Sequence, residues 1–187
     1  MLIRLLLASL LLVPSPAPFQ VPAAFAEGGP ALITVSGAVG KPNRGPLDPF
    51  MDELLARYVE SFDKARTFDL ADLQALPQHE LIAAFPEWQG ASHRFEGPLV
   101  ADLLAAAGAT GTKVTFIAID GYVATRERAV LDKAAFILAI KIDGQPLGLG
   151  GHGPAWLIVS PDIEPAFPDG KPSLDGLVWA VFHIVVE

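Results

Sequence analysis

The pattern of apolar and polar residues along the chain predicts more strands than helices. In several segments apolar residues either alternate with polar ones or form short continuous runs, as in strands with one or both faces buried. These segments are residues 31–38, 81–85, 113–119, 122–126, 136–142, 156–159 and 177–186. Because the strands do not alternate one for one with helices, the pattern favours an α+β fold, with a mixed β-sheet and flanking helices, over a doubly wound fold.

Apolar residues at helical spacing, together with suitable residues at the ends, predict three helices. Asp48 and Asp69 are suited to cap the first two, since their carboxylates can accept hydrogen bonds from the first free amides. Gly108 is suited to end the third, because glycine adopts the left-handed conformation common at this position. The predicted helices cover residues 48–64, 70–76 and 98–107.

The first 26 residues have the pattern of a secretory signal peptide. Arg4 precedes an apolar run at residues 5–13, and Ala24-Phe25-Ala26 has the small-x-small form of a cleavage site. We therefore expect a mature chain that begins at Glu27 and is periplasmic or secreted, which N-terminal sequencing of the exported protein can check. No later apolar stretch is long enough to predict a membrane span in the mature chain.

The composition excludes several classes of chemistry. The sequence contains no cysteine, so disulfides, thiolate metal sites and cysteine nucleophiles are excluded. A disulfide-free exported protein fits a bacterial periplasm. The formal net charge is -8, and loss of Arg4 with the signal peptide makes it more negative. An acidic surface repels phosphate backbones, so we expect no nucleic-acid partner.

Motifs with specific chemistry are few. No pair of histidines has the spacing of an HExxH site. Two interpretations therefore remain: His93 and His152 form a metal site with a carboxylate, or they are ordinary surface histidines. The glycine-rich segment 147–154 is not followed by a helical pattern and indicates a turn rather than a nucleotide loop. Asp120-Gly121-Tyr122 could present a tyrosine hydroxyl to a cleft; the alternative is a tight turn followed by a packed tyrosine.

Three stretches, in order, resemble the molybdopterin-binding domain of the sulfite-oxidase family. The first is FEGPL at 95–99 followed by DLL at 102–104; the second is DGY at 120–122 followed by DGQPL at 143–147; the third is HGP at 152–154 with 156–161 and a late Trp179. The resemblance covers nearly all of the mature chain and is closest to short exported members. It implies a single molybdopterin-oxidoreductase-like domain over 27–187, with 48–64 as a helical insertion.

The sequence departs from this family at the positions that hold the cofactor. The family's molybdenum-binding cysteine matches the place of Ala84 and Phe85, and its arginine and lysine match Trp156 and Val178. Binding a pterin phosphate requires such cations. We therefore expect no bound cofactor, although the resemblance implies molybdopterin, and we assign neither metal ligands nor catalytic residues.

Two functions remain open. In the first, the chain is a non-catalytic module whose cleft binds an unknown small ligand or a periplasmic protein partner. In the second, it is a molybdopterin-dependent oxidoreductase with thiolate-free cofactor binding, which uses residues such as Tyr122 and His152. The resemblance implies that a tyrosine at the position of Tyr122 lies beside the metal, and aromatic walls are common in small-molecule pockets. We therefore expect one ligand-binding cavity, although the same aromatics could instead fill a core. The expected lining residues are Trp88, His93, Asp120, Tyr122, His152 and Trp156.

Overall fold

The computed structural model describes residues 28–58, 61–163 and 173–187. The expected signal peptide therefore lies outside the described residues. The strands are β1 (Ile33–Gly37), β2 (Ala65–Phe68), β3 (Gln78–Ala83), β4 (His93–Pro98), β5 (Lys113–Ala118), β6 (Val123–Glu127), β7 (Ile137–Ala139), β8 (Lys141–Ile142), β9 (Gln145–Pro146), β10 (Trp156–Ile158) and β11 (Val181–Val186). The α-helices are α1 (Glu53–Tyr58), α2 (Leu70–Ala75), α3 (Val100–Ala107) and α4 (Arg128–Ala134), and a short 3-10 helix covers Pro86–Trp88.

The largest sheet has five strands in the order β2-β1-β11-β5-β6. Its first and last strands in the described chain, β1 and β11, pair in parallel, with Thr34 opposite His183. The other neighbours are antiparallel. The predicted α+β class with a mixed sheet is thus confirmed.

Two smaller sheets complete the core. One has the order β3-β4-β8-β9, and the other pairs β10 with β7. Gly97 in β4 lies so close to the backbone of Leu138 and Ala139 in β7 that an added Cβ would overlap it, so this position needs glycine. Helix α3 packs its apolar face, including the fully buried Leu103, into the same core.

Local capping chemistry confirms two of the predicted helices. The Asp69 carboxylate accepts a hydrogen bond from Asp72 N at 2.7 Å, and the Asp72 side chain accepts one from Asp69 N, which together form a capping box before α2. Gly108 ends α3 with φ 63°, in the left-handed region.

The long helix predicted over 48–64 is wrong in its extent. Asp48 does cap this segment, because its carboxylate accepts hydrogen bonds from the amides of Phe50 and Met51, yet only Glu53–Tyr58 is α-helical. Residues 61–64 are not helical. Phe62 instead turns inward with Leu55 to form a small buried cluster, and its carbonyl accepts a hydrogen bond from Leu47 N. Burial of Phe62 thus outweighs helical propensity here.

Other strand and helix boundaries also differ from the prediction. Strand β4 was not predicted, and the run 136–142 is divided into β7 and β8 at Ile140. Helix α4 was not predicted; it ends at Ala135 with φ 51°, where no glycine or proline marks the end in the sequence. The final strand is confirmed but begins at Val181, because 177–180 is irregular.

No helix within the described ranges combines the length and the apolar character needed to cross a membrane.

A buried polar pair joins the two parallel strands. Ser36 Oγ and His183 Nε2 are 2.8 Å apart, and both residues are almost fully buried. His183 Nδ1 has no hydrogen-bond partner among the described residues. Burial, with a smaller contribution from the nearby positive charge of Arg44, lowers the pKa of His183 to about 4. The imidazole is therefore neutral in the folded protein at neutral pH.

This burial predicts a pH-dependent stability. The folded-state pKa of His183 lies below its unfolded value of about 6.5. The buried neutral imidazole therefore makes its full contribution to the free energy of unfolding above about pH 6.5, and this contribution is lost as the pH falls toward 4. We expect the loss in the free energy of unfolding to reach on the order of 3 kcal/mol. Urea unfolding from pH 4 to pH 8 measures it.

One variant isolates this contribution. His183→Gln keeps a group that can bond to Ser36 and should flatten the pH dependence between pH 4 and 6.5. A wild-type stability that does not fall below pH 6 would contradict the assignment.

Candidate functional site

A cavity of about 310 Å³ lies where the 3-10 helix, the turn between β5 and β6, and the segment before β11 meet. It brings together five of the six side chains expected from the sequence. These are Trp88, Asp120, Tyr122, His152 and Trp156. Its other lining residues were not assigned to a site from the sequence. These are Leu174, Asp175, Leu177 and Trp179.

Trp156 forms the base of the cavity. It is only 4% exposed, and its Nε1 donates a hydrogen bond to the carbonyl of Leu177 at 3.2 Å. The His152 ring stacks on it with centroids 4.3 Å apart, and the Trp88 ring meets it edge to face at 6.0 Å. This packing fixes the wall before any ligand arrives.

Trp179 forms an exposed edge of the cavity. Its ring is perpendicular to that of His152, with centroids 6.0 Å apart, and the residue is 43% exposed. The sequence showed this tryptophan in the third matching stretch but gave no sign that it lines the site. The feature that identifies Trp179 as a site residue is its exposure beside the cavity, and this exposure cannot be read from the sequence.

Tyr122, also at the edge of the cavity, is held by two hydrogen bonds. Its amide donates to Asp120 Oδ1 at 3.0 Å, and its hydroxyl accepts a hydrogen bond from Gly176 N at 3.1 Å. Gly176 has φ 75°, and an added Cβ there would overlap the guanidinium of Arg126. Glycine at this position therefore keeps the amide in place for the tyrosine hydroxyl. Tyr122 is still 48% exposed, so it is not a packed core residue.

His93, the sixth residue expected from the sequence, is not among the residues that line the cavity. Its ring lies edge to face against Trp88, 5.4 Å between centroids, and its Nδ1 is 2.7 Å from Asp143 Oδ2. Asp143 Oδ1 also accepts a hydrogen bond from Arg94 N at 2.9 Å. The Arg94 amide first, and then His93, lower the pKa of the Asp143 carboxyl. Asp143, in the β8–β9 turn, thus holds the His93 ring against Trp88, which lines the cavity.

The positions that match the family's cofactor ligands do not fit molybdopterin. Phe85 is 1% exposed and packs its ring against Trp88 at 5.0 Å, and Val178 is 1% exposed. Trp156 uses its single donor on Leu177. Within the described ranges no group of three or more His, Asp or Glu side chains is arranged so that it could hold a metal ion. These residues supply apolar packing where a phosphate and a metal would need charge.

A second cavity, also of about 310 Å³, lies beside α1. Apolar side chains such as Met51 and Leu149 form much of its lining. Its charged residues are already paired, Arg44 with Asp52 and Glu53 with Arg57. We place the candidate site at the aromatic cavity, because that cavity brings together five of the six side chains expected from the sequence.

Comparison with known proteins reveals a likeness at the level of the fold. The chain resembles the crystal structure of the sulfane dehydrogenase SoxCD from Paracoccus pantotrophus, with a TM-score of 0.53 and 17% sequence identity. The likeness covers 82% of this chain but only 37% of that one. No family model and no curated protein sequence matches the chain. The finding supports a distant structural relationship and the predicted sulfite-oxidase-type α+β fold.

The two tryptophans that contact His152 should respond differently to truncation. Trp156→Ala removes a buried ring and leaves a cavity, so we expect a loss of about 3–5 kcal/mol in the free energy of unfolding. Trp179→Ala removes a half-exposed ring and should cost less than about 1 kcal/mol. Urea denaturation of both variants tests this. Equal losses would show that Trp179 belongs to the core and that the cavity is not open at that edge.

Proposed function

We propose that this chain is an exported, non-catalytic binding module with a sulfite-oxidase-like fold, whose aromatic cavity holds a small ligand or part of a periplasmic partner. The observation that carries the proposal is the contrast between two sets of positions. Phe85, Trp156 and Val178, which match the cofactor ligands, are buried apolar residues. Tyr122 and Trp179, at the cavity edge, are half exposed and fixed in place.

Energetics support this interpretation. A large aromatic side chain exposed to water gains nothing for stability from that exposure, whereas it gains contact area when a ligand covers it. The rings at this edge are held by hydrogen bonds and ring contacts, so binding would cost little side-chain entropy. A cavity near 300 Å³ is at the small end of ligand pockets and suits a ligand of modest size. Export to the periplasm is part of the proposal and rests on the pattern of residues 1–26.

One observation favours the second candidate, an oxidoreductase that binds molybdopterin without a thiolate. Tyr122 and His152, the two residues on which that hypothesis depends, line the same cavity. The apolar character of Trp156 and Val178 weighs against it, because a pterin phosphate would meet no cation there.

The binding proposal predicts that a small probe will stabilise the folded protein. A ligand that binds only the native state raises the melting temperature, so we would measure thermal unfolding with tetramethylammonium, tert-butanol and methanesulfonate in turn. At least one should raise it. Trp179→Ala should reduce that rise, because the variant removes an exposed wall of the cavity.

The chain's two tyrosines give a matched pair of controls. Tyr122→Phe removes a hydroxyl that lines the cavity and should weaken a hydrogen-bonding probe about 2- to 10-fold. Tyr58→Phe removes a hydroxyl that donates to the carbonyl of Ile119 outside it and should leave affinity unchanged. If no probe stabilises the protein, or if the rise is the same in Trp179→Ala, the cavity is not a binding site.

A further inference from the structure

We propose that the aromatic cavity selects an organic cation, such as an alkylammonium group or the side chain of a basic residue, and not an anion. This inference rests on the proposed binding function and specifies its ligand class. It follows from the kinds of side chain that surround the cavity and from the charges that are left unpaired there.

The walls provide the electron-rich ring faces that cations favour. All three tryptophans of the chain, Trp88, Trp156 and Trp179, line the cavity together with Tyr122. The Trp88 and Trp156 rings contact each other edge to face, with centroids 6.0 Å apart, so a cation would lie against this aromatic wall and not between the two rings. A group of indole and phenol rings around a small space is the arrangement that proteins use for quaternary ammonium ligands.

Two carboxylates at the cavity provide the complementary charge. Asp120 and Asp175 both line it and both are exposed. Neither forms an ion pair with a described residue. Asp120 is held in position because Oδ1 accepts the Tyr122 amide, and no hydrogen bond within the described residues engages its other oxygen. Two unpaired negative charges at one small cavity disfavour an anionic ligand and favour a cation.

No lysine or arginine among the described residues lines the cavity. Arg126 packs against Gly176, where its guanidinium occupies the space that a Cβ would need. Its Nη1 donates to the carbonyl of Thr125. Its charge lies close enough to Tyr122 to interact with it, but Arg126 is not among the residues that line the cavity.

The dimensions agree with a small ammonium group. A volume of about 310 Å³ exceeds that of a trimethylammonium group and leaves room for a short attached chain. Trp179 and Tyr122, both close to half exposed, stand at the entrance, so the attached chain could extend into solvent. The site could thus accept either a free small molecule or the end of a basic side chain.

Choline and its neutral carbon isostere, 3,3-dimethylbutan-1-ol, separate charge from shape. Isothermal titration of the mature chain should show choline binding at least about 10-fold more tightly than the isostere, because only choline carries the charge that ring faces and carboxylates attract. Methanesulfonate should not bind. The same titrations in 0.5 M NaCl should weaken choline but not the isostere.

Variants identify the groups responsible. Asp120→Asn and Asp175→Asn should each weaken choline about 3- to 10-fold, and Trp179→Ala about 5- to 30-fold. Glu80→Gln, which removes one exposed negative charge on β3 away from the cavity, should change nothing. Thermal unfolding of each variant checks that it is folded.

Each outcome decides a different claim. Equal binding of choline and the isostere, or preferential binding of methanesulfonate, overturns selection for a cation and leaves the binding module in place. If Glu80→Gln weakens choline as much as Asp120→Asn does, the effect is general surface charge and the assigned site is wrong. If none of the three probes binds, both the cation inference and the binding function fail.

Discussion

The pairing of β11 with β1 on one side and β5 on the other is the constraint on which the rest of the structure depends. These contacts join the first and last described strands into one five-stranded sheet. The residues just before β11 also join that sheet to β10, since Ala180 N donates to His152 O at 2.9 Å and Leu157 N donates to Val178 O at 2.7 Å. The Ser36–His183 pair lies at the centre of the parallel interface and keeps its polar groups from being left wholly unmatched.

The cavity is a consequence of this junction. Leu177 and Trp179 belong to the segment that enters β11, and they face Trp156 and His152 from β10 and the loop before it. Because the backbone hydrogen bonds fix both segments, the rings between them are fixed as well. The junction supplies a buried Trp156 and an aromatic edge, Tyr122 and Trp179, that is close to half exposed. Function in such a fold depends on the site and not on the shared architecture.

Local chemistry explains which features could be predicted from the sequence. The Asp69 cap and the Gly108 stop depend on neighbouring residues, and both were expected. The long helix over 48–64 was not correct, because tertiary burial of Phe62 decides that segment. Five of the six expected site residues share one cavity, because the motifs that suggested them meet at the junction. The sixth, His93, instead bonds to the carboxylate of Asp143. Asp175 and Trp179 were missed because they lie on the irregular segment before β11, whose position depends on the pairing of that strand.

We propose that apolar packing fills the positions at which the resemblance implies cofactor ligands, so that the chain holds no molybdopterin. The most direct test is metal analysis of the protein purified from a host that makes molybdopterin and is grown with molybdate. A sulfite-oxidase-type enzyme produced in the same host serves as the positive control. The account predicts molybdenum far below one atom per chain and no pterin released on denaturation. Near-stoichiometric molybdenum with a released pterin would contradict it and establish cofactor binding without a thiolate.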